Sequence, residues 1–409
     1  MLNWSDTSSG RDVKIAVVHD WFASYAGSER VVEQLLAIYP GAIVHAVVDF
    51  LSDADRHFLG GREVRTSFIR KLPLARSKFR HYLPLMPAAI EQFDLSGFDV
   101  VLSSNHAVAK GVIIGPDQLH VSYVHTPIRY AWDLQHQYLA EAGLNRGVKG
   151  LLTRAILHYM RLWDQAAAAR VGVFVANSRY IGRRILNTYR REAEVIYPPV
   201  DVDAFELQEK KEDFYLAASR MVPYKRMPLI VEAFNAMPDK KLVVVGDGTE
   251  LAKVKAIAGP NVTVMGYQSF TVLRDLMRRA KAFVFAAEED FGITPVEAMA
   301  CGTPVIAFGR GGATESVVDG ATGLFFPEQS ADSLREAVER FERETDRFDP
   351  VAIRQHAEFF RPERFRAEMA ALVDREWQAF QRRGRSRSPG ESISSPAITV
   401  PLAEVAGTS

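Results

Sequence analysis

Short apolar runs rich in Val and Ile alternate along this chain with longer segments whose apolar positions repeat every three or four residues. The run at residues 13–18 is followed by a helical pattern at 28–38 and a second apolar run at 42–48. This alternation predicts βαβ units, in which helices cover both faces of a parallel sheet. Further strands of this first series are predicted at residues 99–103, 120–124 and 171–176.

Two consecutive prolines, Pro198 and Pro199, interrupt the pattern, because proline can continue neither a helix nor the ladder of a central strand. A second series of predicted strands then follows at residues 214–218, 241–245, 261–265, 282–286 and 304–307. The chain is therefore predicted to be an α/β protein with two doubly wound Rossmann-like domains, residues 1–198 and 199–361, and a cleft between them.

The end of the chain differs from both series. Residues 362–382 form an amphipathic pattern, with Phe365, Met369 and Leu372 on one face, which predicts a helix that packs back on the body of the protein. Residues 383–409 are rich in Ser, Pro and Gly and contain too few apolar residues to offset the entropy of ordering. We expect this tail to be disordered.

The composition narrows the functional class. Among 409 residues, 50 Lys and Arg balance 50 Asp and Glu, and no long basic face is interleaved with aromatic residues, so nucleic acid is not an expected partner. The single Cys301 cannot form an internal disulfide, which fits a reducing cytoplasm. The polar start and the lack of an apolar run long enough to span a bilayer argue against secretion.

The segment from Glu289 to Gly302 follows a predicted buried strand and has the pattern of a loop and a short helix. Thr294 can be the N-cap, and Glu297 can complete a capping box by accepting a hydrogen bond from the backbone of Thr294. Gly302 can end the helix. This structural interpretation accounts for Glu297 but not for the neighbouring acids.

The acidic residues Glu288, Glu289 and Asp290 are expected at the carboxyl edge of a parallel strand. Ligands of open α/β sheets bind at that edge, and a carboxylate there can accept hydrogen bonds from the hydroxyl groups of a ribose or hexose. Arg220 and Lys225 follow another strand and are expected at the same edge. Two such cations suit a pyrophosphate, although a solvated basic turn would have the same sequence.

A third loop, around Gly246 and Gly248, also connects a strand to a helix. Its glycines permit close approach of a ligand to the backbone, but the third glycine of the dinucleotide fingerprint is missing. An NAD-dependent enzyme is therefore disfavoured.

These residues resemble the retaining family-4 glycosyltransferases of the two-Rossmann GT-B fold over roughly residues 13–380. The resemblance rests on Glu289 and Glu297 at their spacing, joined to Arg220 and Lys225. It implies that Glu297 binds the nucleotide ribose, that Arg220 and Lys225 hold the donor diphosphate, and that Glu289 faces the donor sugar. The donor site that it implies also includes Gly27, Gly248, Phe291, Gly292, Ile293 and Thr294.

The first half carries further features of the family. The first glycine of its usual glycine loop is Ala26 here, so only Gly27 is assigned to the donor site. His125 ends a predicted strand at the ligand edge and resembles the family's active-site histidine, which makes it a catalytic candidate. The string from Tyr123 to Asp133 resembles the branch that builds bacterial surface polysaccharides, which includes many mannosyltransferases. The string Asn177-Ser178-Arg179 resembles another family position near the cleft, and it could equally be the N-cap of the next helix.

Two Asp-x-Asp strings offer a possible metal site, since another class of glycosyltransferases uses such a pair. Asp53 and Asp55 open a polar helical stretch, and Asp201 and Asp203 follow the double proline. Neither pair follows a strand together with the donor residues. We therefore expect no metal and no other cofactor.

The expected function is transfer of a hexose, with retention, from a nucleotide diphosphate sugar to a saccharide or lipid-linked acceptor in surface polysaccharide synthesis. Mannose from GDP-mannose is the favoured donor. Two alternatives are a nucleotide-sugar epimerase, for which His125 and Glu289 would be the acid and base, and a catalytically silent sensor of nucleotide sugars.

Residues 65–90 contain six basic and no acidic residues, interleaved with aromatic and aliphatic ones. Such a segment can attach peripherally to the anionic inner face of the plasma membrane. A basic groove for the acceptor or a solvated loop would have the same composition. The basic candidates for membrane or acceptor contact are Arg70, Lys71, Arg76, Lys78 and Arg80.

Overall fold

The computed structural model describes residues 12–385, and its first half is built on a seven-stranded parallel sheet. The strand order is β3-β2-β1-β4-β5-β6-β7. These strands are β1 (Ile15–His19), β2 (Ile43–Ala46), β3 (Val64–Thr66), β4 (Val100–Asn105), β5 (Leu119–Val124), β6 (Val173–Ala176) and β7 (Glu194–Val195).

The second half is built on a six-stranded parallel sheet with the order β10-β9-β8-β11-β12-β13. Its strands are β8 (Tyr215–Ala218), β9 (Leu242–Val245), β10 (Val262–Gly266), β11 (Ala282–Phe285), β12 (Val305–Phe308) and β13 (Gly323–Phe326). In both sheets the strand order reverses beside the first strand of the half, between β1 and β4 and between β8 and β11. Each reversal creates a crevice at the carboxyl ends of the strands, where ligands of such sheets bind.

Helices cover both sheets. Those of the first half are α1 (Gly27–Ile38), α2 (Ala75–Lys78), α3 (Met86–Glu91), α4 (Gln135–Glu141), α5 (Gly147–Ala169) and α6 (Arg179–Tyr189). Those that follow are α7 (Met227–Asn235), α8 (Leu251–Ile257), α9 (Phe270–Arg279), α10 (Ile293–Ala300), α11 (Ala313–Ser316), α12 (Ala331–Arg343), α13 (Pro350–Glu358) and α14 (Pro362–Arg385).

The predicted two-sheet α/β fold is confirmed. Every residue of β1 and β4 is buried, which explains why these strands are nearly continuous apolar runs in the sequence. The strands that were not predicted, β3, β7 and β13, lie at sheet edges and are two to four residues long. Strands this short leave little apolar periodicity to detect.

The predicted C-terminal helix is also confirmed, and it joins the two halves. Helix α14 follows the second sheet but packs Phe365, Met369 and Leu372 into the core of the first half, beside residues of α1 and β1. The helix continues to Arg385, so the prediction that residues 383–385 are disordered was wrong. The rest of the predicted tail, residues 386–409, lies outside the described residues.

Candidate functional site

A cavity of about 550 Å³ opens between the two halves, at the carboxyl edges of both sheets. The first half contributes the loop before α1, the ends of β4 and β5, and the segment after β5. The second half contributes the loops after β8 and β11 and the start of α10. The residues around it include Trp21, Gly27, Glu29, Arg80, His106, His125, Arg129, Tyr130, Asn177, Arg220, Tyr224, Glu289, Asp290, Phe291, Gly292, Ile293 and Thr294.

The cationic loop after β8 lies beside the acidic loop after β11, as predicted for two neighbouring parallel strands. Lys225 contacts the carboxylate of Glu289, and both side chains are largely buried. Burial, together with the nearby cations Arg220 and Arg129, lowers the pKa of Lys225 to about 7. Arg220 lines the cavity and donates a hydrogen bond to the hydroxyl of Tyr224 at 3.0 Å. Arg220 and Lys225 thus place two cationic side chains at this sheet edge, where an anionic ligand can pair with them.

Gly248 packs behind this cationic loop. It adopts φ of +148°, and a Cβ added there would lie 2.4 Å from the carbonyl oxygen of Met221. The backbone N–H of Met221 in turn donates to the carbonyl of Asp247 at 2.8 Å. Gly248 therefore lets the glycine loop hold the segment that carries Arg220, and its direct contact with a donor stays a prediction.

Helix α10 begins earlier than predicted. Its N-cap is Gly292, with φ of +86°, so Thr294 is the second helical residue and the predicted capping box was wrong. Glu297 is 7% exposed and accepts a hydrogen bond from Arg30 of the first half at 2.7 Å. The end of the helix matches the prediction, because Gly302 follows it with φ of +72°.

The glycine loop before α1 meets α10 across the cleft. A Cβ added to Gly27 would lie 2.9 Å from Cδ1 of Ile293, so a larger residue at position 27 would require the Ile293 side chain to move. Ala26, which replaces the first glycine of the family's loop, lines the cavity and donates its backbone N–H to Glu29 at 3.1 Å.

His125 lies at the cavity wall, as predicted. Its Nε2 is 2.8 Å from Oγ of Ser104, and its backbone carbonyl accepts a hydrogen bond from the side-chain amide of Asn177 at 3.0 Å. Burial, with a smaller effect of His106 and His19, lowers the pKa of His125 to about 3. The imidazole is therefore neutral at physiological pH and can act as a hydrogen-bonding group facing a bound sugar.

Asp20 and His106 form a buried pair beside His125 that sequence reasoning missed. The Asp20 carboxylate is 2.9 Å from Nδ1 of His106 and accepts further hydrogen bonds from backbone N–H groups that precede and open the 3₁₀ turn at residues 109–111. Burial alone would raise the pKa of Asp20, but His106 holds it well below its usual range. Burial would lower the pKa of His106, and Asp20 outweighs that effect and raises it.

Ion pairs across the cleft were also not predicted. Asp290 contacts Arg129 and lies 3.2 Å from Nη1 of Arg184, and both arginines belong to the first half. Glu315 of α11 accepts hydrogen bonds from the backbone N–H groups of Arg179 and Tyr180 at 2.7 and 2.8 Å. A carboxylate of the second half thus caps α6 of the first, which stabilises the contact between the two halves. These partners lie 106 to 161 residues apart in sequence.

The prediction that residues 177–179 provide the N-cap of the next helix is confirmed for Ser178. Ser178 is the N-cap of α6, and its hydroxyl accepts a hydrogen bond from the backbone N–H of Ile181 at 3.1 Å. The same hydroxyl donates to the backbone carbonyl of Asp290 at 2.6 Å, so the cap also contacts the other half.

The basic segment is placed differently from the expectation. Many of its apolar side chains, including Ile69, Phe79 and Met86, are buried in the core of the first half and cannot enter a membrane. Arg80 lines the main cavity. The other basic candidates are exposed, and two of them, Arg70 and Arg76, line a separate cavity of about 470 Å³ together with Asp49, Asp53 and Glu63.

The remaining expectations from the sequence concern metal binding and membrane-spanning segments. Within residues 12–385, no group of three or more His, Cys, Asp or Glu side chains is arranged to hold a metal ion. Metal independence stays a prediction. No helix in the same range is both long and apolar enough to cross a bilayer.

Comparison with known proteins relates this geometry to two family models that match consecutive parts of the chain. Residues 25–204 match the model described as Glycosyltransferase Family 4, and residues 201–354 match the model described as Glycosyl transferases group 1. An uncharacterized glycosyltransferase of Methanocaldococcus jannaschii is 30% identical over 183 residues, which are 44% of this chain and 52% of that protein. A D-inositol 3-phosphate glycosyltransferase of Mycobacteroides abscessus is 29% identical over 189 residues, 41% of this chain and 43% of that protein. The chain thus spans about half the length of the curated relatives that it matches.

Solved structures of similar fold cover nearly the whole chain. Sucrose-phosphate synthase from Thermosynechococcus elongatus superimposes with a TM-score of 0.69 at 17% identity, over 90% of this chain and 100% of that one. Anabaena HepE in complex with UDP superimposes with a TM-score of 0.64 at 18% identity, over 88% and 100%. At these identities the likeness shows the fold alone. The two glycosyltransferase models match successive parts of the chain, one on each half of the structure, and the fold is that of the GT-B glycosyltransferases.

Proposed function

We propose that this protein transfers a hexose from a nucleotide diphosphate sugar to a saccharide or lipid-linked saccharide acceptor. The observation that supports this most directly is the placement of Arg220 and Glu289 in a cavity that His125 of the other half also lines, with Lys225 paired to Glu289 at the same sheet edge. Cations next to a carboxylate match a donor that carries a diphosphate on one side and sugar hydroxyls on the other.

The chemistry requires a diphosphate to leave from an anomeric carbon that gains positive charge. Arg220 and Lys225 are positioned to stabilise the negative charge that develops on the leaving oxygen. A neutral His125 can hydrogen-bond to the sugar without repelling that centre. We propose retention at the anomeric carbon on the resemblance to the retaining family-4 enzymes.

For the donor we propose GDP-mannose, on the resemblance of the segment from Tyr123 to Asp133 to mannosyltransferases of surface polysaccharide synthesis. The structural neighbour HepE was solved with UDP and with UDP-glucose, which makes UDP-sugars the competing class. A thermal-shift screen of GDP- and UDP-sugars tests the choice, since a ligand at 100 times its Kd stabilises by about 2.7 kcal/mol. Stabilisation by UDP-sugars alone would contradict GDP-mannose.

Incubation with a labelled donor distinguishes the activity from its alternatives. A glycosyltransferase moves the label to an added acceptor, an epimerase changes the sugar without one, and a silent sensor changes neither. The epimerase needs both an acid and a base at the sugar. It is disfavoured because Glu289 is engaged by Lys225 and the pKa of His125 is far below neutral.

The Glu297→Gln variant should bind a nucleoside diphosphate about tenfold more weakly than the wild type. A ribose hydroxyl donates to the Glu297 carboxylate, and a charge-assisted bond is roughly twice as strong as a neutral one. Isothermal titration calorimetry measures the change. Arg30→Gln is the matched control, because it removes the same ion pair and leaves the carboxylate. Equal losses in the two variants would mean that Glu297 acts only through Arg30.

Nucleoside diphosphate affinity should fall as the pH rises from 7 to 9. The pKa of Lys225 is about 7 in the free protein, so the ammonium that favours the diphosphate is progressively lost above that pH. Phosphate groups, with a second pKa near 6, are already ionised over this range. The Lys225→Arg variant stays charged and should show a flat profile in the same titration. An unchanged slope in that variant would assign the pH dependence to another group.

We further propose that the protein works at the inner face of the plasma membrane, where a lipid-linked acceptor would be found. The exposed cations Arg70, Lys71, Arg76 and Lys78 support this, since each basic residue near an anionic surface contributes about 1 kcal/mol. Surface polysaccharide synthesis is the biological role that this location and the resemblance favour.

A further inference from the structure

We infer that the outer face of α5 is a second membrane-contact surface, which inserts apolar side chains between anionic lipid headgroups. The inference deepens the membrane location proposed above and rests on it. The resemblance to known glycosyltransferases assigns no role to α5. The outer stripe, as we name it, consists of Val148, Leu151, Leu152, Tyr159 and Leu162.

The side chains of the outer stripe are apolar and yet exposed to solvent. Val148 is 83% exposed, Leu151 69%, and Leu152 and Leu162 each 61%. Isolated exposed apolar residues are common on proteins, but a contiguous patch marks a surface that contacts another molecule. The spacing of residues 148, 152, 159 and 162 places them on one side of the helix over about 21 Å. A side that long can lie flat on a bilayer.

The opposite side of α5 is fixed to the protein, so the stripe cannot turn inward. Leu157 and Met160 are buried in the core cluster that also contains Phe79 and Met86 of the basic segment. Asp164, fully buried near the end of the helix, is paired with Lys110. Helix α5 thus carries apolar residues on both sides, one side packed in the core and the other, the outer stripe, exposed.

The charges around the outer stripe favour an anionic lipid surface as its binding partner. Residues 142–163 contain no Asp or Glu, and Arg146 and Lys149 are exposed at the start of the helix. The adjoining basic segment, residues 65–90, also lacks acidic residues and exposes Leu74 and Leu85. The inner side of α5 packs on this segment, so the outer stripe and the exposed cations of the segment belong to neighbouring elements. A helix with apolar residues and flanking cations is suited to the headgroup boundary.

Flotation of the full chain with liposomes tests the inference, comparing vesicles of phosphatidylcholine with vesicles that contain phosphatidylglycerol. The test variant carries Val148→Gln, Leu152→Gln and Leu162→Gln, which keep good helix formers on an exposed face. The matched control carries Met265→Gln, Tyr267→Gln and Val318→Gln, three exposed apolar residues of the second half. We expect the wild type and the control to float with anionic vesicles and the stripe variant to bind at least tenfold more weakly.

Other results would overturn the inference. If the stripe variant floats like the wild type, α5 is not the contact, although attachment through the basic segment then stands. If the wild type binds neither vesicle, or binds both equally, the charge argument fails. If sedimentation velocity shows a wild-type dimer that the stripe substitutions dissociate, the stripe is an interface between two copies. Donor binding, measured in solution, is independent of all these outcomes, so it separates this failure from a failure of the proposed activity.

Discussion

The Arg220→Gln variant should lose about 10² to 10³ in kcat, because one preorganised donor to the leaving diphosphate is removed from the cavity between the two halves. The remaining cation, Lys225, is partly neutral near pH 7 and already contacts Glu289. It is therefore a weak substitute for a guanidinium, which stays protonated. Steady-state transfer from the donor selected by the thermal-shift screen measures the effect.

Arg226→Gln is the matched control for that variant. Arg226 lies on the same loop but is exposed and lines no part of the main cavity, so its loss should change kcat less than twofold. A comparable decrease in both variants would mean that the loop acts through its general charge or its fold. If Arg220→Gln raises the KM for the donor and leaves kcat unchanged, Arg220 contributes to donor binding and not to leaving-group stabilisation.

The Lys110→Met variant should lower the free energy of unfolding of the first half by about 3–5 kcal/mol. Lys110 and Asp164 are both fully buried and paired, and removing one partner leaves the other charge buried without compensation. Asp164 would keep only the hydrogen bonds from Nε1 of Trp132 at 2.7 Å and from the hydroxyl of Tyr189 at 2.8 Å. Urea unfolding followed by tryptophan fluorescence measures the loss. The described tryptophans, Trp21, Trp132, Trp163 and Trp377, all lie in or against this half.

An exposed ion pair provides the comparison. Arg375 pairs with Glu194 at 2.7 Å, and both side chains are about half exposed, so Arg375→Met should cost no more than about 1 kcal/mol. Replacing both members of the buried pair, with Lys110→Met and Asp164→Leu, should recover part of the stability because no charge is then left uncompensated. A loss equal to that of the single variant would show that packing, and not charge, explains the effect.

The parts of the site that the sequence predicted are those positioned by the ends of neighbouring strands. Arg220, Lys225 and Glu289 follow β8 and β11, which are adjacent in one sheet, so their proximity follows from topology. The capping box of Glu297 was wrong because loop length decides where a helix begins, and Gly292 starts α10 before Thr294. His125 was found because it ends a strand, whereas Asp20 and His106 pair through loops that carry no periodicity.

The sequence by itself determined the two parallel sheets, the returning helix and the edge at which a ligand binds, because buried strands and amphipathic helices leave a local apolar pattern. Only the tertiary structure decided how the halves meet. The contact between Arg30 and Glu297 joins residues 267 positions apart, and no local pattern encodes such a pair. Only the tertiary structure decided, too, which apolar side chains are exposed to solvent. Many apolar residues of the basic segment are buried, whereas those of the outer stripe of α5 are exposed, since neighbouring elements, and not residue type, decide which side of a helix faces the core.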